Sequence, residues 1–332
     1  MLENDGPVRM NGTLNARLVR AFFCLPLLFR AGDVPADDRR GPMRIVVPAT
    51  AGGSASRQAR ILADALGRQT GRPFIVDHRS GLGWEAGAAV VAASPAGSRV
   101  LLLASASLAV RAAGATAAAE TGILRGLKPV GQLSTTPLVL AVHPRVPAKT
   151  LAELLALARS QGGRLQAGAG TAGGLGHLAA AMLLPPVAAS RIAPYRGGAA
   201  ALRDLGEGRI DLLFAAAPVV LPQWVAGRLR MLAATAPSPH AGLARLPLTD
   251  TAASVSVTSQ WYALFVPAGT SDGMARDLQR EMRQALLDES VISFFSEHAI
   301  EAVGGDATAL AGLLQREIAR YAPLIRRASM VP

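Results

Sequence analysis

Two glycine-rich loops carry the clearest chemistry in the chain. The first, Pro48-Ala49-Thr50-Ala51-Gly52-Gly53-Ser54, lies between a predicted strand and a predicted helix. Successive backbone N–H groups at a helix start form an anion-binding concavity, which the helix dipole reinforces. No Lys-Ser or Lys-Thr follows the glycines, so this is not a nucleotide-cradling P-loop. A plain strand-to-helix turn with Ser54 or Ser56 as N-cap is the alternative. The second loop, Gly168-Ala169-Gly170-Thr171-Ala172-Gly173-Gly174, matches GxGxxG, but the acid that a dinucleotide ribose needs about twenty residues on is missing. What remains is a second row of exposed N–H groups. Two such loops facing one cleft would clamp a small anion from both sides.

Other donors are isolated. Ser105 and Ser107 follow a predicted strand. Tyr195 and Arg196 follow another, with solvent as the alternative for Arg196; His177 falls in a first helical turn, where a core or capping role competes with ligand contact. No catalytic constellation is present. There is no GxSxG elbow and no HExxH, and the five histidines lack metal-ligand spacing. Asp204 and Asp211 suit a solvated helix face and a strand-end cap better than an acid–base pair. The expectation is a non-enzyme with no metal and no cofactor.

Those residues need a scaffold, and the chain is long enough for two domains: 332 residues, half of them hydrophobic and 17% charged. The formal charge is +11, yet Lys128 and Lys149 are the only lysines, the arginines are scattered, and aromatics are 4%. Without a dense basic tract interleaved with aromatics, nucleic acid is not an expected partner. A positive field does attract small anions. The single cysteine, Cys24, excludes a disulfide framework.

Residues 1–42 read as a leader. Arg17 and Arg20 precede the apolar run Ala21–Phe29, and Val34-Pro35-Ala36 places small residues before a cleavage near Ala36. Arg30 closes the run early, and either Met1 or Met10 could be the start; a disordered cytoplasmic leader is the alternative. No later apolar run reaches the ~18–20 residues of a spanning helix.

From Met43 short apolar strands alternate with amphipathic helices, the rhythm of sheets covered by helices. Strands are predicted at Arg44–Pro48, Phe74–Asp77, Val100–Ala104, Leu138–Val142, Leu165–Ala169, Arg191–Pro194, Ile210–Ala215, Leu229–Thr235 and Trp261–Val266. A third glycine-rich loop (Gly81, Gly83, Gly87) opens a helix through Ala86–Ala93. The breakers Pro144–Pro147 and Pro267–Thr270 suggest one lobe from residues 43–140 plus 266–332 and a second from 141–265, with the ligand cleft between them.

This ordered set of motifs resembles the Bug family, the solute receptors of tripartite tricarboxylate transporters. The resemblance rests on Ile45–Pro48 with Ala51–Ser54, Val76–Gly81, Leu101–Ser107, Thr136–Leu140, Val146–Thr150, Pro194–Gly197, Gly208–Asp211 and Val266–Thr270, and it covers about residues 43–328. It implies a two-lobed type II periplasmic-binding-protein fold, each lobe a mostly parallel sheet flanked by helices, and hinge closure over a small organic carboxylate or related metabolite. It implies ligand contacts at Ala49, Thr50, Ala51, Gly52, Gly53 and Ser54, and at Ser105 and Ser107. In the second lobe the implied contacts are Gly170, Thr171, Ala172, Gly173, Gly174, His177, Tyr195 and Ala215. Membrane transporter subunits or a sensor kinase are the implied partners, and the receptor is expected to be periplasmic and monomeric. Ser56 and Ala215 stand where the family commonly has acids, and His78 where it has Asn; losing acids near the cleft would weaken recognition of a ligand amine or hydroxyl. A degenerate orphan receptor, or a cytoplasmic enzyme or regulator on the same scaffold, is the alternative function.

Overall fold

A computed structural model of the chain describes residues 41–79, 85–114, 124–160, 164–185, 192–253, 255 and 257–328. The residues of the expected leader (Arg17, Arg20, Ala21–Phe29, Cys24, Ala36) and Gly81 and Gly83 lie outside the described residues.

The first sheet has six strands in the order β11-β4-β10-β3-β1-β2, formed by β1 (Met43–Val47), β2 (Phe74–His78), β3 (Val100–Ser105), β4 (Leu127–Thr136), β10 (Gln260–Pro267) and β11 (Glu301–Ala302). The second has five in the order β7-β6-β8-β5-β9, formed by β5 (Leu138–Val142), β6 (Ala167–Ala169), β7 (Ala193–Pro194), β8 (Leu212–Ala216) and β9 (Arg230–Ala234). Both are mixed. The triples β2-β1-β3 and β7-β6-β8 are parallel as expected, while β10, β4 and β11 in one sheet and β5 and β9 in the other run antiparallel.

The change of sheet falls at Pro137, between β4 and β5, and the return falls between β9 and β10. Residues 138–140 therefore pair in the second sheet and 260–265 in the first. Proline lacks the N–H that a ladder needs, so Pro137 marks the break, whereas Pro144 and Pro147 only end the following turn.

Side chains alternate across each strand as the period of two demands. Val46, Leu102 and Ala104 join one core and Ile45, Val47, Leu101 and Leu103 another; Leu138, Leu140 and Val142 face one way and Val139 and Ala141 the other. One face of the first sheet is covered by α1 (Ser54–Thr70), α9 (Asp272–Ala285) and α10 (Glu289–Glu297). Its other face shares a continuous core with α2 (Glu85–Ala92), α3 (Ser107–Gly114), α11 (Ala307–Arg327) and, in the second lobe, α4 (Leu151–Ser160) and α5 (Leu175–Leu183). The remaining face of the second sheet carries α6 (Gly198–Gly206) and α7 (Ala217–Val225). The short α8 (Thr249–Ala253) precedes the return.

The return segment is anchored by a buried carboxylate. Glu317 on α11, 4% exposed, accepts from the Thr258 hydroxyl at 2.6 Å and from the Trp261 indole N–H at 3.3 Å. The Tyr321 hydroxyl shares the Thr258 oxygen at 2.6 Å. This charge thus enters the interior with its hydrogen bonds supplied.

Candidate functional site

A cavity opens between the two sheets where helices begin. In the first lobe Thr50, Gly53, Ser54, Ser105 and Ser107 line it; in the second Gly170, Thr171, Gly174 and Ala215 do so. No Asp, Glu, Lys, Arg or His lines it among the described residues. Its polarity is that of hydroxyls, backbone and one amide.

The helix starts supply the backbone. The N-caps of α1, α5, α6 and α7 are Gly53, Gly174, Gly197 and Ala216; all four line the cavity and none makes a side-chain capping bond. Four other helices, α4, α9, α10 and α11, are capped by side chains. Ser271 accepts from Met274 N–H on α9, Asp288 from Ser290 N–H on α10, and Asp306 from Ala309 N–H on α11. At α4 Thr150 accepts from Glu153 N–H at 3.1 Å while Glu153 accepts from Lys149 N–H at 2.6 Å. The first N–H groups of a helix need partners; at α5 one of them, the Leu175 N–H, donates to the Ser107 hydroxyl, and at α1 and α6 a bound ligand can supply them. α7 gives least, because Ala217 N–H donates to Pro137 O and Pro218 has no N–H.

The floor was not legible in sequence. Gln260 and Tyr262, two apart on β10, point to the same side, and Tyr262 pairs in register with Ser105 of β3. Burial pushes the Tyr262 phenol up to about 12 in spite of hydrogen bonds with Ser54 and Gln260, so it stays a neutral hydroxyl at neutral pH. Ser54 is held in turn by the Gln58 amide at 3.3 Å, and the Gln58 oxygen accepts from Ser134. Gly197, Gly198, Phe214 and Val219 are among the other lining residues that sequence reasoning missed. The period-two spacing of Gln260 and Tyr262 was a signal, but only the β10–β3 pairing says which side faces the cavity.

The structure moves several expected residues off the cavity wall. Tyr195 donates its hydroxyl to Asp204 at 2.7 Å and packs beside the core under α6, so the glycines that follow it reach the cavity instead. Arg196 is exposed. His177 accepts the Gly173 N–H on Nδ1 at 3.0 Å, shaping the loop, and burial lowers its pKa. Ala51 and Ala172 are exposed, Gly52 belongs to a neighbouring cavity, and Gly173 is buried against Arg111. Asp211 accepts from Gln166 N–H at 2.8 Å and pairs with Arg145 at 2.8 Å, a strand-end role.

Ser56 also faces away. Fully buried, it bonds His78 Nε2 at 2.8 Å; burial and the Arg60 charge lower the His78 pKa against the opposing pull of Asp77. Ser56 and His78, two of the positions expected to depart from the family pattern, thus meet each other outside the cavity wall. Ala215, the third such position, does line it.

The lobes touch beside the cavity. Leu175 N–H donates to the Ser107 hydroxyl at 3.4 Å, and Gly197 and Gly52 lie so near Thr50 and Ala199 that added Cβ atoms would come within 2.4 Å of Thr50 Oγ1 and 3.8 Å of Ala199 Cβ. No group of three His, Cys, Asp or Glu side chains that could hold a metal ion exists among the described residues. No helix among them is long and apolar enough to cross a membrane.

Two α/β lobes joined by crossing strands, with a cleft walled by helix starts, define a two-lobed periplasmic binding protein. The chain belongs to the tripartite tricarboxylate transporter family receptors, whose family model matches residues 58–330. It is 29% identical over 289 residues to Protein BugT of Bordetella pertussis, covering 86% of this chain and 88% of that one. Among solved structures it is similar to an R. palustris protein with adipate, at TM-score 0.81 and 27% identity over 89% of this chain and 100% of that one. It also matches the periplasmic binding protein BugD at TM-score 0.80 and 22% identity, over 87% and 98% of the two chains.

Proposed function

We propose that the cavity captures a small organic carboxylate and that the closed receptor presents it to membrane transporter subunits. The observation that carries this reading is the contrast in capping: the N-cap residues of α1, α5, α6 and α7, which line the cavity, make no side-chain capping bond, while those of α4, α9, α10 and α11 do. Charge-assisted hydrogen bonds contribute roughly 1.5–3 kcal/mol each, so three or four, less ordering costs, reach the ~8 kcal/mol of a micromolar site. The absence of a carboxylate from the described wall disfavours ligands with an ammonium group. The resemblance to a protein solved with adipate supports the same class. The chain acts as a monomeric receptor rather than an enzyme, and the leader directs it to the periplasm.

Thermal unfolding against mono-, di- and tricarboxylates, amino acids and aromatic acids tests this. A carboxylate at a hundred times its Kd adds about 2.7 kcal/mol, and the melting point rises by a few degrees. A shift confined to amino acids would overturn the reading, as would silence across the panel from a cooperatively melting protein.

A further inference from the structure

A second cavity, of about 380 Å³, lies on the other side of the Gly52–Ala199 contact and shares Val219 with the first. Both lobes build it: Gly52 and Arg57 come from the loop and first turn of α1, Arg203 from α6, and Gln223 and Arg228 from α7 and the turn after it. Three arginines, Arg57, Arg203 and Arg228, therefore line one opening. Its acid, Glu207, is already paired with Arg209. Arg57 uses Nε on Gly52 O at 3.4 Å and Arg228 uses one Nη on Gln223 at 3.3 Å, which leaves most of their donors uncommitted; the Arg203 guanidinium makes no hydrogen bond among the described residues, although its charge acts on the adjacent Asp204.

From this geometry we infer a separate site at the lobe seam for a small multivalent oxyanion of the di- or tricarboxylate class. Guanidinium stays charged throughout the physiological range, and its planar fork matches a carboxylate in bidentate fashion. Three of them facing one opening repel one another, and an anion of charge two or more relieves that repulsion better than a monoanion. The site is distinct in kind from the central cavity, which is uncharged and offers backbone donors. Because its walls come from both lobes, it is complete only when they are together. An anion bound there favours closure and, by reciprocity, tightens the central site.

The probe is citrate, titrated calorimetrically into the full chain. Neutralising the seam with Arg203→Gln and Arg228→Gln, both exposed positions, weakens citrate by at least about tenfold, the equivalent of one lost charge-assisted contact. Wild-type binding also weakens steeply with added salt. Changing the central wall with Ser54→Ala and Tyr262→Phe leaves citrate affinity within about threefold, since no seam guanidinium is touched. The opposite pattern, loss in the central variant and retention in the seam variant, places citrate in the central cavity and overturns the seam site while sparing the proposed function. No citrate binding by a wild-type chain that melts cooperatively overturns it too.

Discussion

Gly53→Asp makes the protein slightly more stable and removes its carboxylate binding. Gly53 is the N-cap of α1, at φ −75° and ψ 173°, an extended conformation open to any residue, and an added Cβ meets nothing nearer than Thr50 O at 3.9 Å. Aspartate there accepts from the N–H groups of the first turn and caps the helix, contributing a few tenths of a kcal/mol over glycine. That side chain fills the place left to the ligand and puts a second negative charge beside it. At an effective dielectric near 20, like charges about 4 Å apart repel by about 4 kcal/mol, so affinity falls roughly 100- to 1,000-fold. Melting and calorimetry on one sample check both signs. A cap that stabilises without reducing affinity would show that the ligand does not use these N–H groups.

The second large effect is at Gly197. Its φ of 147° and ψ of 154° fall in a region that L-residues avoid at a cost of about 1–3 kcal/mol. Gly197→Ala therefore costs stability of that order or rotates the peptide that presents the Gly198 N–H at the start of α6. The added carbon also lands 2.4 Å from Thr50 Oγ1 in the opposite lobe. Both routes damage closure, and carboxylate affinity drops by about 10- to 100-fold for roughly 1.4–2.8 kcal/mol lost. Gly273→Ala, in the first turn of α9 with open space around it and no positive φ, is the control: affinity is unchanged and stability holds or rises. Equal affinity in the Gly197 and Gly273 variants would remove the α6 start from the site.

How far the sequence could be read depended on how local each determinant is. β5 at Leu138–Val142 matches the expected span because an unbroken apolar run defines it locally, and a Thr150–Glu153 cap fixes the start of α4 in the same local way. β4 was missed. Leu127–Thr136 mixes Lys128, Pro129, Gly131 and Gln132, and it runs as a strand because β10 pairs with it through two register shifts. The glycine-rich loops were legible as donors for an anion, since the strand–glycine–helix order is a local pattern. Tyr195 and Tyr262 show the limit: each follows or occupies an apolar strand, but Asp204 nine residues on captures one, and only the β10–β3 pairing brings the other to the floor. The same holds for Ser56, which looked like a lost ligand contact and proves to be the buried partner of the half-buried His78.

The central claim is that uncapped helix starts hold a carboxylate group as an anion. Its most direct test is calorimetric: the acid giving the largest thermal shift, with adipate in the panel, is titrated in parallel with its neutral amide of the same shape. Backbone N–H donors that count on charge assistance lose it with the amide, whose NH2 group also turns a donor toward donors, so the amide binds at least about 100-fold more weakly. Equal affinity for acid and amide would contradict the account.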